Sequence, residues 1–159
     1  MPEITDEQKQ ARIKAMRLLE HMDRTEKGLA DRLGQAGFSD GAVQNAMDYV
    51  KSFGYINDAR YARSYISGRL DKKSKQQILQ ELYRKGVDRQ TAQEAWEEAR
   101  ELEEPDERGL IRRTIEKKYS PGEELDEKGM RRLYGCLARR GFRQEDIFSV
   151  FDEMEIRKI

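Results

Sequence analysis

The stretch ILQELYRKGVDRQTAQEAWEEA, residues 78–99, decides the fold, because its pattern occurs three times in the chain. LADRLGQAGFSDGAVQNAMDYV (29–50) and LYGCLARRGFRQEDIFSVFDEM (133–154) superpose on it without gaps. Each copy centres on a glycine: Gly37, Gly86 and Gly141. Eight residues earlier stand Leu29, Ile78 and Leu133; four earlier, Leu33, Leu82 and Leu137. Phe38, Val87 and Phe142 follow the glycine directly. Val43, Ala92 and Ile147 lie six residues beyond it, and Met47, Trp96 and Phe151 ten beyond. A repeat of this kind sets the architecture before any single-domain reading.

The physics of one copy is simple. Apolar residues at i and i+4 form a stripe on one helix face. The glycine falls where the chain leaves the helix, in the left-handed conformation that glycine adopts cheaply. Its apolar follower folds back onto the stripe. Ser39 and Asp88 then cap a second helix, and Arg143 or Gln144 opens the corresponding one in the last copy.

A leading helix precedes each pair. Tyr61, Ala62, Tyr65 and Ile66 recur as Leu110, Ile111, Thr114 and Ile115 at an offset of 49 residues, the same offset as from Gly37 to Gly86. From Gly86 to Gly141 the offset is 55, so the loop SPGEELDE (120–127) carries six extra residues. The first leading helix, around Ile13 to Leu19, matches less well. In GYINDARYARSYI (54–66), Gly54 ends one module and Asn57 caps the next helix. Ile56 and Tyr61 stand at the two positions of a hydrophobic staple, and Asp58 lies in the first turn, where the helix dipole favours an acid. The expected plan is all-α: three tandem three-helix, helix-turn-helix-like repeats at 1–54, 55–103 and 104–159, in an elongated, curved arrangement. Units of about 50 residues bury too little alone, so neighbours should stabilise one another.

Composition agrees. Of 159 residues, 36% are hydrophobic and 39% charged, too thin a supply for one thick core, but the apolar residues are periodic. Net charge is zero, with 31 basic and 31 acidic side chains, so no global attraction to nucleic acid follows. The local distribution is uneven: nine Lys/Arg against three acids from Arg60 to Arg89, then eight acids against one Arg from Glu94 to Glu107. Such segregation gives a bipolar surface. One cysteine, Cys136, forms no internal disulfide, and the first fifteen residues lack the apolar core of a signal peptide. A soluble, cytoplasmic protein is expected.

The basic residues are the candidate binding set. Arg60, Arg63, Arg69, Lys72, Lys73, Lys75, Arg84 and Lys85 belong to the second repeat, and Arg112, Arg113, Lys117, Lys118, Arg131, Arg132, Arg139 and Arg140 to the third. Cations at this density suit phosphates or an acidic protein groove. Tyr65 and Tyr83 could stack on bases, although Tyr65 sits at core spacing. Trp96 shares its place with Met47 and Phe151 and is read as core. His21 stands near the end of the first helix, Cys136 is a partly exposed inert thiol, and ELEEPDER (101–108) is a solvated helix end and linker. The sequence offers no phosphate loop, paired metal ligands or triad, so neither catalytic residues nor a metal or other cofactor are expected.

The stretch GYINDARYARSYISGR (54–69) with QQILQELYRKGV (76–87) resembles the signature of the RecX family of bacterial recombinase regulators. The residues that carry the likeness are Gly54, Tyr55, Ile56, Asn57, Asp58, Tyr61, Tyr65 and Arg69, then Ile78, Glu81, Leu82, Lys85, Gly86 and Val87. Two positions depart from the family pattern: Gly28 stands where a capping-box Glu is common, and Ser74 where a glycine is common. Gly28 suggests a softer first repeat. The resemblance implies a non-enzymatic regulator of RecA, and a monomer is expected. It implies binding in the groove of the RecA–single-stranded DNA filament, with inhibition of the filament's ATPase, strand exchange and extension. It leaves contact with single-stranded DNA itself open. A direct DNA-binding module and a generic helical-repeat scaffold are the alternatives.

Overall fold

Stripes four residues apart become helices wherever a hydroxyl or carboxylate can cap them. The computed structural model describes residues 3–159, and in it the repeated stretches form three helix pairs. These are α2 (Glu26–Gln35) with α3 (Asp40–Ser52), α5 (Lys75–Arg84) with α6 (Arg89–Leu102), and α8 (Glu127–Arg139) with α9 (Gln144–Met154). The leading helices are α1 (Asp6–His21), α4 (Asp58–Ser67) and α7 (Glu107–Glu116). The expected caps are in place. Ser39 Oγ accepts from the Ala42 amide at 3.2 Å, Asp88 Oδ1 from Thr91 at 2.8 Å and Asn57 Oδ1 from Arg60 at 3.0 Å. α9 is the exception: Arg143 is its N-cap residue and makes no side-chain cap bond.

The central glycines close their helices as the repeat requires. Gly37, Gly86 and Gly141 have φ of +94°, +98° and +90°. After each, the next amide reaches back to the carbonyl at the start of the last turn: Phe38 to Leu33, Val87 to Leu82, Phe142 to Leu137. This pairing satisfies carbonyls that a helix end otherwise leaves open.

The helices fall into two compact units, Met1–Ser64 with Leu82–Trp96, and Tyr65–Glu81 with Glu97–Ile159, so the second repeat contributes to both. In the first unit, Leu29, Leu33, Met47 and Val50 pack with Ala11, Ala15, Leu18, Ala42 and Ala46. The alanines let α1 and α3 lie close together. Ile56 packs against this same core. In the second unit, Leu110, Ile111 and Ile115 meet Leu133, Leu137, Phe142, Ile147, Val150, Phe151 and Met154. Met47, Trp96 and Phe151, which share one repeat position, are all buried.

The six extra residues have a structural use. They form β1 (Glu124–Leu125), which pairs in parallel with β2 (Arg157–Lys158) at the chain's end. The Gly122 amide donates to Met154 O at 2.7 Å and Ile159 to Leu125 O at 2.8 Å, so the insertion clips the C-terminal tail. This two-strand clip is absent from the all-helical expectation.

Candidate partner-binding surface

Neighbouring repeats meet through a joint that is built twice. Thr25, the N-cap of α2, accepts from the Gly28 amide at 3.0 Å and donates its hydroxyl to the Lys85 carbonyl. Ser74, the residue before α5, accepts from Gln77 at 3.2 Å and donates to the Arg140 carbonyl at 2.6 Å. A second bond accompanies each. Asp58 Oδ1 accepts from the Glu26 amide at 2.9 Å, and Glu107 Oε1 accepts from the Lys75 amide. The glycine completes the fit. A Cβ on Gly86 would overlap the Cβ of Lys27, and one on Gly141 would stand 2.9 Å from the Cβ of Gln76. Thr25, Glu26, Lys27 and Asp58 are followed 49 residues later by Ser74, Lys75, Gln76 and Glu107.

At Gly37 no atom lies within 4 Å of such a Cβ. No described residue of another repeat packs against that turn. The left-handed turn is therefore common to all three repeats, whereas the close approach belongs to the joints.

The joints also place charge. The two residues before each docked glycine are basic, Arg84–Lys85 and Arg139–Arg140, and their side chains are exposed. In repeat 1 the same positions hold Gln35 and Ala36. Because the Lys85 and Arg140 carbonyls are held by Thr25 and Ser74, each dibasic pair rests on fixed backbone.

The other cations divide by environment. Arg60, Lys72, Lys117 and Arg132 are exposed, as is Arg63. Lys73 pairs with Glu81, Arg112 with Glu153 at 3.0 Å and Arg131 with Glu127 at 3.5 Å. Arg113 reaches the Asp71 carbonyl at 3.5 Å, and Lys118 lies over the Tyr119 ring at 5.7 Å. Arg69 lies over the Tyr65 ring at 3.6 Å and donates to the Tyr65 carbonyl at 3.1 Å. Burial alone would raise the Glu81 carboxyl; the Lys73 bond and charge, with the Tyr65 hydroxyl and Arg69, bring it below its ordinary value. Lys73 and Arg69 thus serve the fold of the second unit. Tyr83 is likewise engaged, accepting from Gln93 Nε2 at 3.3 Å with Arg89 over its ring at 5.1 Å.

Two predictions concern the joints. Ser74 is fully buried, so Ser74→Ala removes a cap and leaves the Arg140 carbonyl and Gln77 amide without their partner. A loss of about 2–3 kcal/mol is expected in urea unfolding, against about 1 for Ser39→Ala at an exposed cap. Asp58 has a raised carboxyl pKa, chiefly from burial, with Glu26 and Asp88 pushing the same way and the Glu26 amide opposing. The folded state holds that proton more tightly than the unfolded chain. Its contribution to stability therefore falls as pH rises from the ordinary value of 3.8 through the folded one. Asp58→Asn keeps an acceptor for Glu26 and should flatten that part of the pH–stability profile without lowering stability at neutral pH. Asp58→Ala should lose about 1 kcal/mol. Urea midpoints between acid and neutral pH check both.

Among the described residues, no group of three His, Cys, Asp or Glu side chains could hold a metal ion, and no helix is long and apolar enough to cross a membrane. Cys136 is half-buried.

Among the described residues, nine helices in three three-helix repeats, with cation pairs fixed where neighbouring repeats meet, define an all-α repeat protein. Family models for the first, second and third three-helix domains of RecX match residues 11–49, 57–95 and 106–151. The chain belongs to the RecX family of regulatory proteins. Regulatory protein RecX of Mycobacterium leprae is 30% identical over 154 residues, covering 94% of this chain and 88% of that protein. The Clostridium perfringens (strain 13) protein of the same name is 37% identical over 73 residues, which are 46% of this chain and 34% of that protein. The match thus spans about a third of that relative's length. The crystal structure of RecX from Lactobacillus salivarius superposes with a TM-score of 0.73 at 19% identity, covering 96% of this chain and 99% of the other, and shares the fold.

Proposed function

We propose that this protein is a non-enzymatic, monomeric, cytoplasmic regulator that binds the RecA–single-stranded DNA filament and inhibits ATP hydrolysis and extension. Family membership supports the regulatory role, and the resemblance of residues 54–87 supports RecA as the target. The observation that carries the binding mode is the pair of dibasic steps, Arg84–Lys85 and Arg139–Arg140, each anchored by its joint. Regularly anchored cations suit a partner whose own negative charges repeat, whether acidic side chains or phosphates. The remaining exposed cations of repeats 2 and 3 extend that basic surface. Arg69 covering Tyr65, and Arg89 covering Tyr83, weigh against base stacking as the main mode. Titrating the protein into RecA on single-stranded DNA should lower ATP hydrolysis at substoichiometric ratios. An unchanged rate at moderate salt across the whole titration would sink the proposal.

A further inference from the structure

Repeat 1 carries none of the basic set assigned above, yet its end and the first residue of repeat 2 present exposed aromatic side chains. Phe53 and Tyr55 are 56% and 45% exposed, and Ile13 on α1 is 46% exposed. Tyr49 joins them, its ring 5.1 Å from that of Phe53. Between α1 and α3 runs a groove of about 310 Å³ lined by Arg12, Ile13, Met16, Arg17, Glu20 and Tyr49. Two guanidiniums over one carboxylate give its rim a net positive charge.

The other repeats show that the fold does not need this surface. At the position of Tyr49 they carry Glu98 and Glu153, and at that of Phe53 they carry Leu102 and Arg157. In repeat 3, Glu153 of α9 pairs with Arg112 of α7, so a salt bridge spans the leading and third helices. In repeat 1 the corresponding helices are spanned by Arg12 lying over Tyr49 at 4.4 Å. Polar closure has been replaced by an apolar, aromatic one with an arginine rim.

We infer that this α1–α3 face is a second contact surface, and that its occupant is an amphipathic protein segment: apolar side chains in the groove, carboxylates against Arg12 and Arg17. Aromatic and arginine side chains together are the usual anchors of protein interfaces. A nucleic-acid strand fits less well. Phe53 and Tyr55 stack on each other at 5.4 Å, and Arg12 covers Tyr49, so the faces a base would use are largely taken.

The test rests on the function proposed above, since its probe is the RecA–single-stranded DNA filament. Ile13→Glu, Phe53→Arg and Tyr49→Glu place charge on the surface, the last two with the residues of the other repeats. Ile13 and Phe53 are exposed enough that these variants should keep wild-type urea midpoints. Each is expected to bind the filament at least about tenfold more weakly, because a charge replaces an apolar contact. Wild-type binding with unaltered variants overturns this inference alone. A wild-type protein that does not bind the filament overturns both readings. An equal loss of affinity for a bare single-stranded oligonucleotide, or variants that abolish a wild-type self-association, overturns the assigned occupant.

Discussion

Gly86→Ala is expected to destabilise the protein by about 2–5 kcal/mol, while Gly37→Ala costs only about 1–2. Both glycines have φ above +90°, so an alanine at either site bears the left-handed penalty. They differ in surroundings. The new Cβ at Gly86 overlaps the Cβ of Lys27 and stands 2.7 Å from its Cδ, whereas Gly37 has open space. A Cβ is tied to the backbone and cannot swing away as a side-chain end could, so the first turn of α2 must move. That movement strains the Thr25–Lys85 and Asp58–Glu26 bonds together. Gly141→Ala should behave like Gly86→Ala, since Gln76 Cβ and Ser74 Oγ both lie at 2.9 Å. Urea melts of the three variants check the ordering, and equal losses at all three sites would mean the joints carry no packing constraint.

The second large effect concerns binding. Reversing all four cations at the joints, Arg84→Glu, Lys85→Glu, Arg139→Glu and Arg140→Glu, should weaken filament binding by a hundredfold or more and flatten its salt dependence. Each exposed charge contact contributes only about 0.5–1 kcal/mol, but reversal adds repulsion to the loss, and four sites compound. The joint bonds themselves use the carbonyls of Lys85 and Arg140, which the substitutions leave in place. Reversing Arg60 and Arg63 provides the comparison. If both sets bind like wild type, the basic surface is not the contact.

The helices were legible in the sequence because their signals are local. An apolar residue every fourth position, a glycine, then a capping Ser or Asp all lie within one copy of the repeat. The joints were not legible, because each links residues 60 or 66 positions apart. Thr25 and Ser74 read as N-caps and are N-caps; nothing local shows that their hydroxyl hydrogens are spent on another repeat. Asp58 reads as a dipole-favoured acid, whereas its carboxylate also holds the first amide of α2. The basic residues were visible as a list but not as a pattern. Only the structure separates Lys73 and Arg69, held by Glu81 and Tyr65, from the dibasic pairs at the joints. The aromatic face of repeat 1 escaped notice because Tyr49 and Phe53 lie outside the positions that the three copies share.

The joint also sets a rule for the order of modules. Its hydroxyl must accept one hydrogen bond and donate another, which threonine and serine can do and an ionised aspartate cannot. The third repeat opens its middle helix with Asp126, which accepts from the Gly129 amide at 2.7 Å and has no hydrogen to pass on. Repeat 3 therefore has no hydroxyl with which to make a joint of this kind. Repeat 1 has a donor in Thr25 and open space around the turn at Gly37. Only repeat 2 carries both halves in use, Ser74 toward the next module and Gly86 toward the one before. A chain lengthened by copying residues of its middle module would keep every joint bonded, whereas copying the last would leave two neighbours with no hydroxyl between them. Whether two modules can be joined in this way turns on a single side-chain proton.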